Sequence, residues 1–301
     1  MKANKNSTPA VCYGEILWDV LPEGPQPGGA PLNVAYHLNK MGVSTSIISK
    51  IGNDSNGRKL VDLVDSWGIN REMVQKDEVH PTSEVIAHMS NGNEVSYDIV
   101  FPVAWDFIDQ NSLINEGLSS SSYLIYGSLA SRHNVSRDTL LGLLECDAIK
   151  VFDINLRPPF INKDLLGALL SKADIVKFNQ GELEMAQLLF GGSFSHEKSQ
   201  IKFIQDRFEI PEIIVTKGEF GAAYYKNDQI YQSWGSEVKV RDTIGSGDAF
   251  LAAFIANHYL KNDPLSIIKN AVAMGAFIAT KKGGCPDYFL SEFLTFKNQN
   301  F

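Results

Sequence analysis

The sequence of 301 residues has few cysteines and no long apolar run. Its 3 cysteines, Cys12, Cys146 and Cys285, lie far apart, which fits neither a disulfide framework nor a metal-binding motif. No apolar stretch is long enough to cross a membrane, and the N-terminal segment MKANKNSTP lacks the apolar core of a signal peptide. These absences predict a cytoplasmic protein with free thiols and no membrane partner.

Positive charge is also scarce. The chain has 27 Lys and Arg against 35 Asp and Glu, for a net charge of -8, and it contains no basic tract. Because nucleic acids are bound by clustered Lys and Arg, this balance argues against a nucleic acid partner.

A hydrophobic content of 44% and a charged content of 21% are ordinary for a soluble globular protein. The length suffices for one large α/β domain or two small ones.

Two common nucleotide-binding motifs are missing. No G-x-x-x-x-G-K-[ST] is present, so a phosphate group would not be held by a P-loop. No G-x-G-x-x-G follows the first predicted strand, which weakens a dehydrogenase interpretation. The 6 histidines are scattered without ligand spacing, so we expect them at the surface or hydrogen-bonded inside the protein.

What the sequence does contain is an alternation of apolar, strand-like runs with helical patterns. It predicts strands at residues 10–21, 44–51, 123–126, 149–153, 174–178 and 213–216, a turn-rich loop over 22–31, and a short hairpin over 222–234. No internal repeat or linker divides the chain. We expect one α/β domain over residues 1–301 with three layers, in which helices flank a mostly parallel central sheet.

The periodicity changes in residues 83–101. Apolar residues alternate with polar ones on both sides of Asn91-Gly92, a strong signal for a two-residue hairpin turn. This hairpin could be a plain extension of the sheet. It could also be a lid over a ligand site, in which Phe101 or Tyr97 would form an aromatic wall.

The segment Val240–Phe250 joins an apolar run to the helical pattern AFLAAFIANHYL. Small residues at a helix start let backbone N–H groups approach an anion, and the helix dipole favours negative charge there. Asp248 would repel a phosphate, so we interpret it as a base that takes a proton from an attacking hydroxyl. The alternative is a tight turn in which Asp248 only caps the helix.

Several polar residues, including Asp248, stand at or just past the ends of the predicted strands. Each one alone could be a helix cap, a turn former or a solvated charge. Because the carboxyl ends of parallel strands share one edge of a sheet, their joint placement there favours a functional site. They are Asp19, Asp153, Asn155, Arg157, Asn179, Glu182, Thr216 and Asp248.

These residues carry a resemblance to the ribokinase-like (PfkB-type) carbohydrate kinases, and within that family to the fructokinases. The resemblance spans Gly14 to Gly284. The motifs, in chain order, are Gly14-Glu15 with Asp19, Gly28-Gly29-Ala30-Pro31-Leu32-Asn33-Val34-Ala35, Ile51-Gly52-Asn53-Asp54, Asp153-Ile154-Asn155-Leu156-Arg157-Pro158, Asn179-Gln180-Gly181-Glu182-Leu183, Val215-Thr216-Lys217-Gly218 and Asp242 to Asp248. The last motif and the GGAP-x-NVA string are the most specific of these.

The resemblance implies a ribokinase-like fold with a small β lid, and it implies roles for single residues. Asp248 would be the catalytic base, and Gly245, Ser246 and Gly247 would form an anion hole of backbone N–H groups. The family usually has Ala where Ser246 stands, which a backbone donor tolerates. Arg157 matches a position near the substrate and the incoming phosphate.

The implied sugar site consists of Asp19, Gly28, Gly29 and Asn33 together with Arg157, Asp248 and the lid residue Phe101. Asp19 and Asn33 would hold the sugar hydroxyls, and the two glycines would let the backbone approach the sugar. The implied nucleotide-binding residues are Asn179, Thr216, Gly218, Gly245, Gly247 and Asn270.

The resemblance also implies ATP, magnesium and potassium. Asn179 and Glu182 match the N-x-x-E element, which would organise Mg²⁺ through water. Asp242, the carbonyl of Ile244 and the loop at Gly283 would hold the monovalent cation. That loop, Lys281-Lys282-Gly283-Gly284-Cys285-Pro286, departs from the family pattern.

We therefore expect an enzyme that transfers the γ-phosphoryl group of ATP to a primary hydroxyl of a free sugar, most simply fructose. The alternatives are ribose, a nucleoside, 2-keto-3-deoxygluconate or a sugar phosphate as acceptor, and a non-catalytic sugar sensor. Residues 83–101 contain no Lys or Arg, which favours a neutral sugar. The family often pairs its lids across a dimer, so we also expect a homodimer.

Overall fold

The computed structural model describes residues 9–21, 24–89, 95–111, 114, 117–118, 121–193 and 195–301, without the side chains of 87–89 and 95–98. Its main feature is a central sheet of nine strands. In spatial order the strands are β13 (Gln229–Ser233), β12 (Ala222–Lys226), β11 (Glu212–Thr216), β10 (Ile175–Asn179), β9 (Ile149–Asp153), β8 (Tyr123–Gly127), β1 (Ala10–Tyr13), β4 (Thr45–Gly52) and β5 (Val74–Asp77). The strands from β11 to β5 are parallel, while β12 and β13 are antiparallel additions at one edge.

Helices cover both faces of this sheet. They are α1 (Ala30–Lys40), α2 (Ser55–Ser66), α3 (Asn134–Leu143), α4 (Lys163–Leu170), α5 (Gln180–Leu189), α6 (Glu197–Phe208), α7 (Ser246–Tyr259), α8 (Pro264–Ala279) and α9 (Leu290–Asn300). Alternate strand residues point to opposite faces, so Cys12 belongs to one hydrophobic cluster and its neighbours Val11 and Tyr13 to the other. The first cluster includes α1, α2, α7, α8 and α9, and the second includes α3 to α6. The predicted three-layer α/β fold is confirmed.

Local sequence explains where several helices begin. Pro31 stands in the first turn of α1, where its missing N–H costs nothing. The Asp263 side chain accepts a 3.0 Å hydrogen bond from the Ser266 N–H and so caps α8, which Pro264 begins. Among the described residues, no helix combines the length and apolarity needed to span a membrane.

The prediction of one strand over residues 10–21 is wrong. Strand β1 ends at Tyr13, and Gly14 adopts a φ of +141°, which takes the chain out of the central sheet. The following strand, β2 (Leu17–Leu21), belongs to a second sheet of four strands. Asp19 therefore lies inside a strand of this small sheet and not at the end of a central strand.

The prediction of a loop over residues 22–31 is also wrong in part. Gly24–Gly28 forms strand β3, which pairs antiparallel with β2. Pro25 and Pro27 are tolerated because β3 is an edge strand. On its outer side no neighbouring strand is present, so a missing N–H removes no hydrogen bond between strands there.

The small sheet has the order β3-β2-β6-β7, in which β6 is Ser83–Met89 and β7 is Val95–Ile99. The hairpin over residues 83–101 is thus only half of it, because β2 and β3 supply the other half. The Asn91-Gly92 turn lies outside the described residues.

The strand order identifies one edge of the central sheet as the place for a site. The chain proceeds outward from β1 to β4 and β5, and then from β8 on the other side of β1 to β11. A crevice forms at the carboxyl ends of parallel strands where the order reverses in this way. Asp153, Asn179 and Thr216 are the last residues of β9, β10 and β11 and lie along this edge.

Candidate active site

Asp248 lies in the first turn of α7 and is held by a residue distant in sequence. Asn33 of α1 donates a hydrogen bond of 2.8 Å from Nδ2 to Asp248 Oδ2. Burial and the negative charge of Asp153 raise the pKa of Asp248 to about 6, although Asn33, Lys177 and Arg157 act in the opposite direction. A carboxylate with this pKa is ionised at neutral pH and is a stronger base than an ordinary aspartate.

The turn before α7 depends on glycine. Gly245 has a φ of +74°, and a Cβ there would lie 2.5 Å from the Cα of Gly284. Helix α7 begins at Ser246, so the first backbone N–H groups of the helix lack partners within it. The Ser246 hydroxyl donates to the Thr243 carbonyl at 2.9 Å, which occupies the side chain in holding the turn. The segment 245–247 is thus shaped as an anion-binding helix start beside Asp248.

Asp19 approaches Asp248 from the small sheet. Its carboxylate packs over Gly28, where a Cβ would lie only 2.1 Å from Asp19 Oδ2. Burial raises the pKa of Asp19 to about 6, and the charge of Asp248 adds to this increase. The structure thus places Asp19 within electrostatic reach of Asp248, and Gly28 makes room for the Asp19 carboxylate.

Glu15 is an acid at this site to which the sequence assigned no role. It is 3% exposed, and its Oε2 has no hydrogen-bond partner among the described residues. Burial raises the pKa of Glu15 to about 7, while the positive charge of Arg157 lowers it and the negative charge of Asp248 raises it. Gly29, with a φ of +107°, would place a Cβ 2.3 Å from the Glu15 carbonyl oxygen. The space left by Gly29 is therefore taken by the Glu15 backbone, and the approach of Gly29 to a sugar stays a prediction.

Two further predicted residues, Arg157 and Phe101, are exposed. Arg157 is exposed, and its positive charge lowers the pKa values of Asp248, Asp19 and Glu15. Phe101 is 52% exposed, and its ring lies 6.4 Å from the ring of Phe160. The side chain of Tyr97, the other aromatic candidate, lies outside the described part of the structure.

A cavity of about 510 Å³ opens on the other side of the glycine turn. Of the predicted nucleotide-binding residues, it is lined by Thr216, Gly218 and Gly247, and Ser246 lines it as well. Its apolar wall includes Val238, Val240, Phe250, Val272 and Ala276.

Asn270 does not line this cavity. Its amide nitrogen donates to Asn257 Oδ1 at 2.6 Å, and its oxygen accepts from Lys297. The side chain is engaged between α7, α8 and α9, so the structure does not bring it to the cavity. Asn179 does not line the cavity either.

Asn179 and Glu182 form a helix cap. The Asn179 side chain accepts from the Glu182 N–H at 2.9 Å, and Glu182 Oε2 accepts from the Asn179 N–H at 2.8 Å. Glu182 Oε1 accepts from the Leu156 N–H at 3.1 Å. In the described ranges, no group of three or more His, Cys, Asp and Glu residues could hold a metal by itself. The capping alternative therefore describes the observed contacts.

Asp242 joins the two loops of the predicted cation site. Its Oδ1 accepts from the Ile244 N–H at 3.0 Å, and its Oδ2 accepts from the Gly283 N–H at 2.9 Å. The structure therefore brings Asp242, Ile244 and Gly283 together. The atypical Cys285 of this loop donates from Sγ to Asn33 Oδ1 at 3.2 Å, which links the loop to Asn33 and through it to Asp248.

Lys177 is a second residue that sequence reasoning missed. Its ammonium pairs with both carboxylate oxygens of Asp153 at 2.8 Å, and both residues are buried. The signal was available, because a lysine in the apolar run Ile175–Asn179 is unexpected for a buried strand. For Glu15, the comparable signal is an acid directly before the apolar pair Ile16-Leu17.

The sequence is similar to those of known carbohydrate kinases. The profile of the pfkB family carbohydrate kinases matches residues 24–288. The chain is 28% identical to the fructokinase of Escherichia coli over 90% of this chain and 92% of that protein.

The fold is similar to those of solved structures as well. The fold matches a fructokinase double mutant of Vibrio cholerae O395, solved with fructose, ADP and a potassium ion, with a TM-score of 0.81 at 25% identity over 97% and 99% of the two chains. It also matches the apo form of a candidate ribokinase II of Escherichia coli, with a TM-score of 0.84 at 23% identity over 97% and 99% of the chains, which shows the ribokinase-like fold. The family profile covers most of the sequence, and the chain belongs to the pfkB family of carbohydrate kinases.

Proposed function

We propose that this carbohydrate kinase transfers the γ-phosphoryl group of ATP to a primary hydroxyl of free fructose. The observation that carries the proposal is the position of Asp248. Its half-buried carboxylate lies at the start of α7, between Asp19 of the small sheet and the glycine turn that borders the cavity. A base next to an anion-binding helix start is what transfer of a phosphoryl group to an alcohol requires.

The reaction balances with the residues present. The hydroxyl oxygen of the sugar attacks the γ-phosphorus, and its proton moves to Asp248. The bond from the γ-phosphorus to the bridging oxygen breaks, and ADP leaves with that electron pair. The backbone N–H groups of residues 245–247 stabilise the negative charge on the transferring group, and Arg157 adds a positive charge.

The cavity beside Gly247 fits the nucleotide. Its volume of about 510 Å³ lies in the range of small-molecule sites. The wall at Val238, Val240 and Val272 suits a base, and the end at Thr216, Ser246 and Gly247 suits phosphates. Of the predicted nucleotide residues, we retain Thr216, Gly218, Gly245 and Gly247 and leave out Asn179 and Asn270.

Two ions fit the residues present. Magnesium would supply positive charge to the phosphates, and we propose that waters connect it to the cap formed by Asn179 and Glu182. Potassium would be held by carbonyl oxygens of the loops that Asp242 joins, including those at Ile244 and Gly283.

Fructose is supported by three observations. The E. coli relative is named a fructokinase, and the V. cholerae structure contains fructose. Residues 83–101 carry no Lys or Arg that would pair with a sugar phosphate. Asp19 and Arg157 offer polar groups for hydroxyls. We further propose that the small sheet closes over the sugar as a lid, that Phe101 contributes to its wall, and that the protein is a homodimer.

One experiment tests the proposal against its alternatives. ATP consumption by the purified protein is measured with fructose, ribose, 2-keto-3-deoxygluconate, a nucleoside and fructose 6-phosphate, with and without potassium. We expect the highest kcat/KM with fructose and a stimulation by potassium. A higher kcat/KM with another acceptor would reassign the substrate. Sugar binding without any ATP consumption would support the non-catalytic sensor instead.

A further inference from the structure

The ion pair between Lys177 and Asp153 is placed directly behind the glycine turn. Lys177 is 7% exposed and Asp153 is 5% exposed. A Cβ added to Gly247 would lie 3.7 Å from Lys177 Nζ, in ordinary van der Waals contact. Gly247 also lines the cavity, so the ammonium group lies next to a residue of the cavity wall.

Burial of this ion pair is costly, so stability alone does not explain why the protein has it. Removing two charges from water is unfavourable, and an apolar pair of similar volume is often at least as stable. Burial lowers the pKa of Lys177, but the carboxylates of Asp153, Glu182 and Asp248 outweigh it, so the net shift is upward and the charge is retained. An ammonium has three N–H groups, and the two oxygens of Asp153 account for two of them.

We propose that Lys177 is a phosphate-binding residue, whose ammonium, oriented by Asp153, contacts the terminal phosphate of the nucleotide from behind Gly247. This inference rests on the proposed nucleotide site and adds a side-chain cation to its backbone donors. The absence of a side chain at Gly247 leaves the path from Nζ to the phosphate open. Because Asp153 and Glu182 lie nearby, the lysine also offsets their repulsion of the phosphate.

The test is a series of binding measurements without sugar, using AMP, ADP and a non-hydrolysable ATP analogue with Mg²⁺ in excess. The variant is the double substitution Lys177→Met with Asp153→Asn, which leaves no unpaired buried charge. We expect the Kd of the ATP analogue to rise roughly 10- to 100-fold, because a hydrogen bond to a charged group is lost. The Kd of AMP should change less than about threefold. An equal change for all three nucleotides, or no change, would overturn the proposal.

A matched control is the pair of Lys217 and Glu197, whose Nζ and Oε1 lie 2.7 Å apart. Lys217 follows the cavity residue Thr216, but its ammonium is engaged by Glu197. The double substitution Lys217→Met with Glu197→Gln removes the same charges and should leave the nucleotide series unchanged. An increase limited to the ATP analogue in this control would show a general charge effect and would also overturn the proposal.

If the Lys177 double variant does not fold, Gly247→Ala provides the same test with the ion pair intact. The added methyl group would lie 3.7 Å from Nζ, so it has space there but should hinder contact of the ammonium with a phosphate in the cavity. It should weaken binding of the ATP analogue more than binding of AMP, and equal weakening would contradict the proposal.

The series of binding measurements requires no sugar turnover, so its result is independent of the proposed reaction. A wild-type protein that binds ATP but phosphorylates no sugar would reject the proposed function alone.

Discussion

Asn33 Nδ2 and Asp248 Oδ2 lie 2.8 Å apart, although the two residues are 215 positions apart in the sequence. The other end of the Asn33 amide accepts from the Cys285 thiol at 3.2 Å. Gly284 leaves space for this arrangement, because a Cβ there would lie 2.7 Å from Asn33 Nδ2. The amide orientation is therefore fixed from both sides. Asn33, expected to hold the sugar, is seen to hold the proposed base.

Replacing Asn33 should change the pH dependence of turnover. The hydrogen bond from Asn33 lowers the pKa of Asp248, which is about 6 with the bond present. In Asn33→Ala this pKa should increase, so the acidic limb of the kcat profile should move to higher pH. The control is Asn39→Ala, which removes a side-chain bond to the Trp67 carbonyl elsewhere on α1. The two variants should differ in the position of the limb, and a shared position would contradict the role of Asn33.

Asp248→Asn should abolish most turnover and leave sugar binding intact. The asparagine keeps the shape of the side chain but cannot take the proton of the hydroxyl, which in general costs about 10²- to 10⁴-fold in rate. Steady-state kinetics and calorimetric sugar binding together measure the two effects. Retention of near-normal kcat would assign the base to another residue.

The same substitution should stabilise the protein at neutral pH. The folded-state pKa of Asp248, about 6, is above the ordinary value of 3.8, so the native state binds the proton more tightly than the unfolded state. This contribution to stability is present below pH 4 and is lost as the pH rises through 6. The asparagine of the variant does not titrate, so the Tm of the variant minus that of wild type should increase between pH 4 and pH 7.5. A difference that is constant with pH would show that Asp248 titrates normally.

The ion pair of Arg132 and Asp106 should be far more important for stability than a surface pair. Arg132 Nε lies 2.7 Å from Asp106 Oδ1, and the two side chains are 1% and 0% exposed. Arg132 also donates to the Val100 carbonyl and stacks on the Trp105 ring at 4.0 Å. Arg132→Met should lower the free energy of unfolding by about 3–5 kcal/mol, since it leaves a buried carboxylate unpaired.

Its control is Arg137→Met, because Arg137 pairs with Asp138 at 3.8 Å on the surface. That change should cost less than about 1 kcal/mol. Denaturant titrations of both variants measure the difference. Similar values for the two would show that the buried pair is solvated.

Gly245→Ala should reduce both stability and turnover. Gly245 has a φ of +74°, which is unfavourable for alanine, and the new Cβ would also lie 2.5 Å from the Gly284 Cα. Gly42→Ala separates the two effects, because Gly42 has a φ of +81° but no atom within 4 Å of the added Cβ. We expect a loss of about 1–2 kcal/mol for Gly42→Ala from conformation alone. Gly245→Ala should lose more and should also lose kcat, and equal losses would exclude the clash.

Much of the fold and part of the site followed from the sequence, because local chemistry determines them. Apolar runs separated by helical patterns predict a parallel sheet with helices on both faces. The glycines and Asp248 in one short segment predict an anion-binding turn with a base. Lys177 in an apolar strand and the carboxylate of Glu15 were equally visible, but their sequence positions do not say what lies opposite them.

Tertiary structure decided the contacts between distant segments. The strand expected over residues 10–21 divides between two sheets because Gly14 turns the chain, and Asp19 thereby reaches Asp248 from the small sheet. Pairing with β2 makes β3 a strand although it contains two prolines. Proline is tolerated there because the outer side of an edge strand has no neighbouring strand to which an N–H would donate. Only the packing of α1 against α7 brings Asn33 within hydrogen-bonding distance of Asp248. Local sequence specifies backbone conformation and helix capping. Burial, pKa values and hydrogen-bond partners depend instead on neighbours that folding brings together.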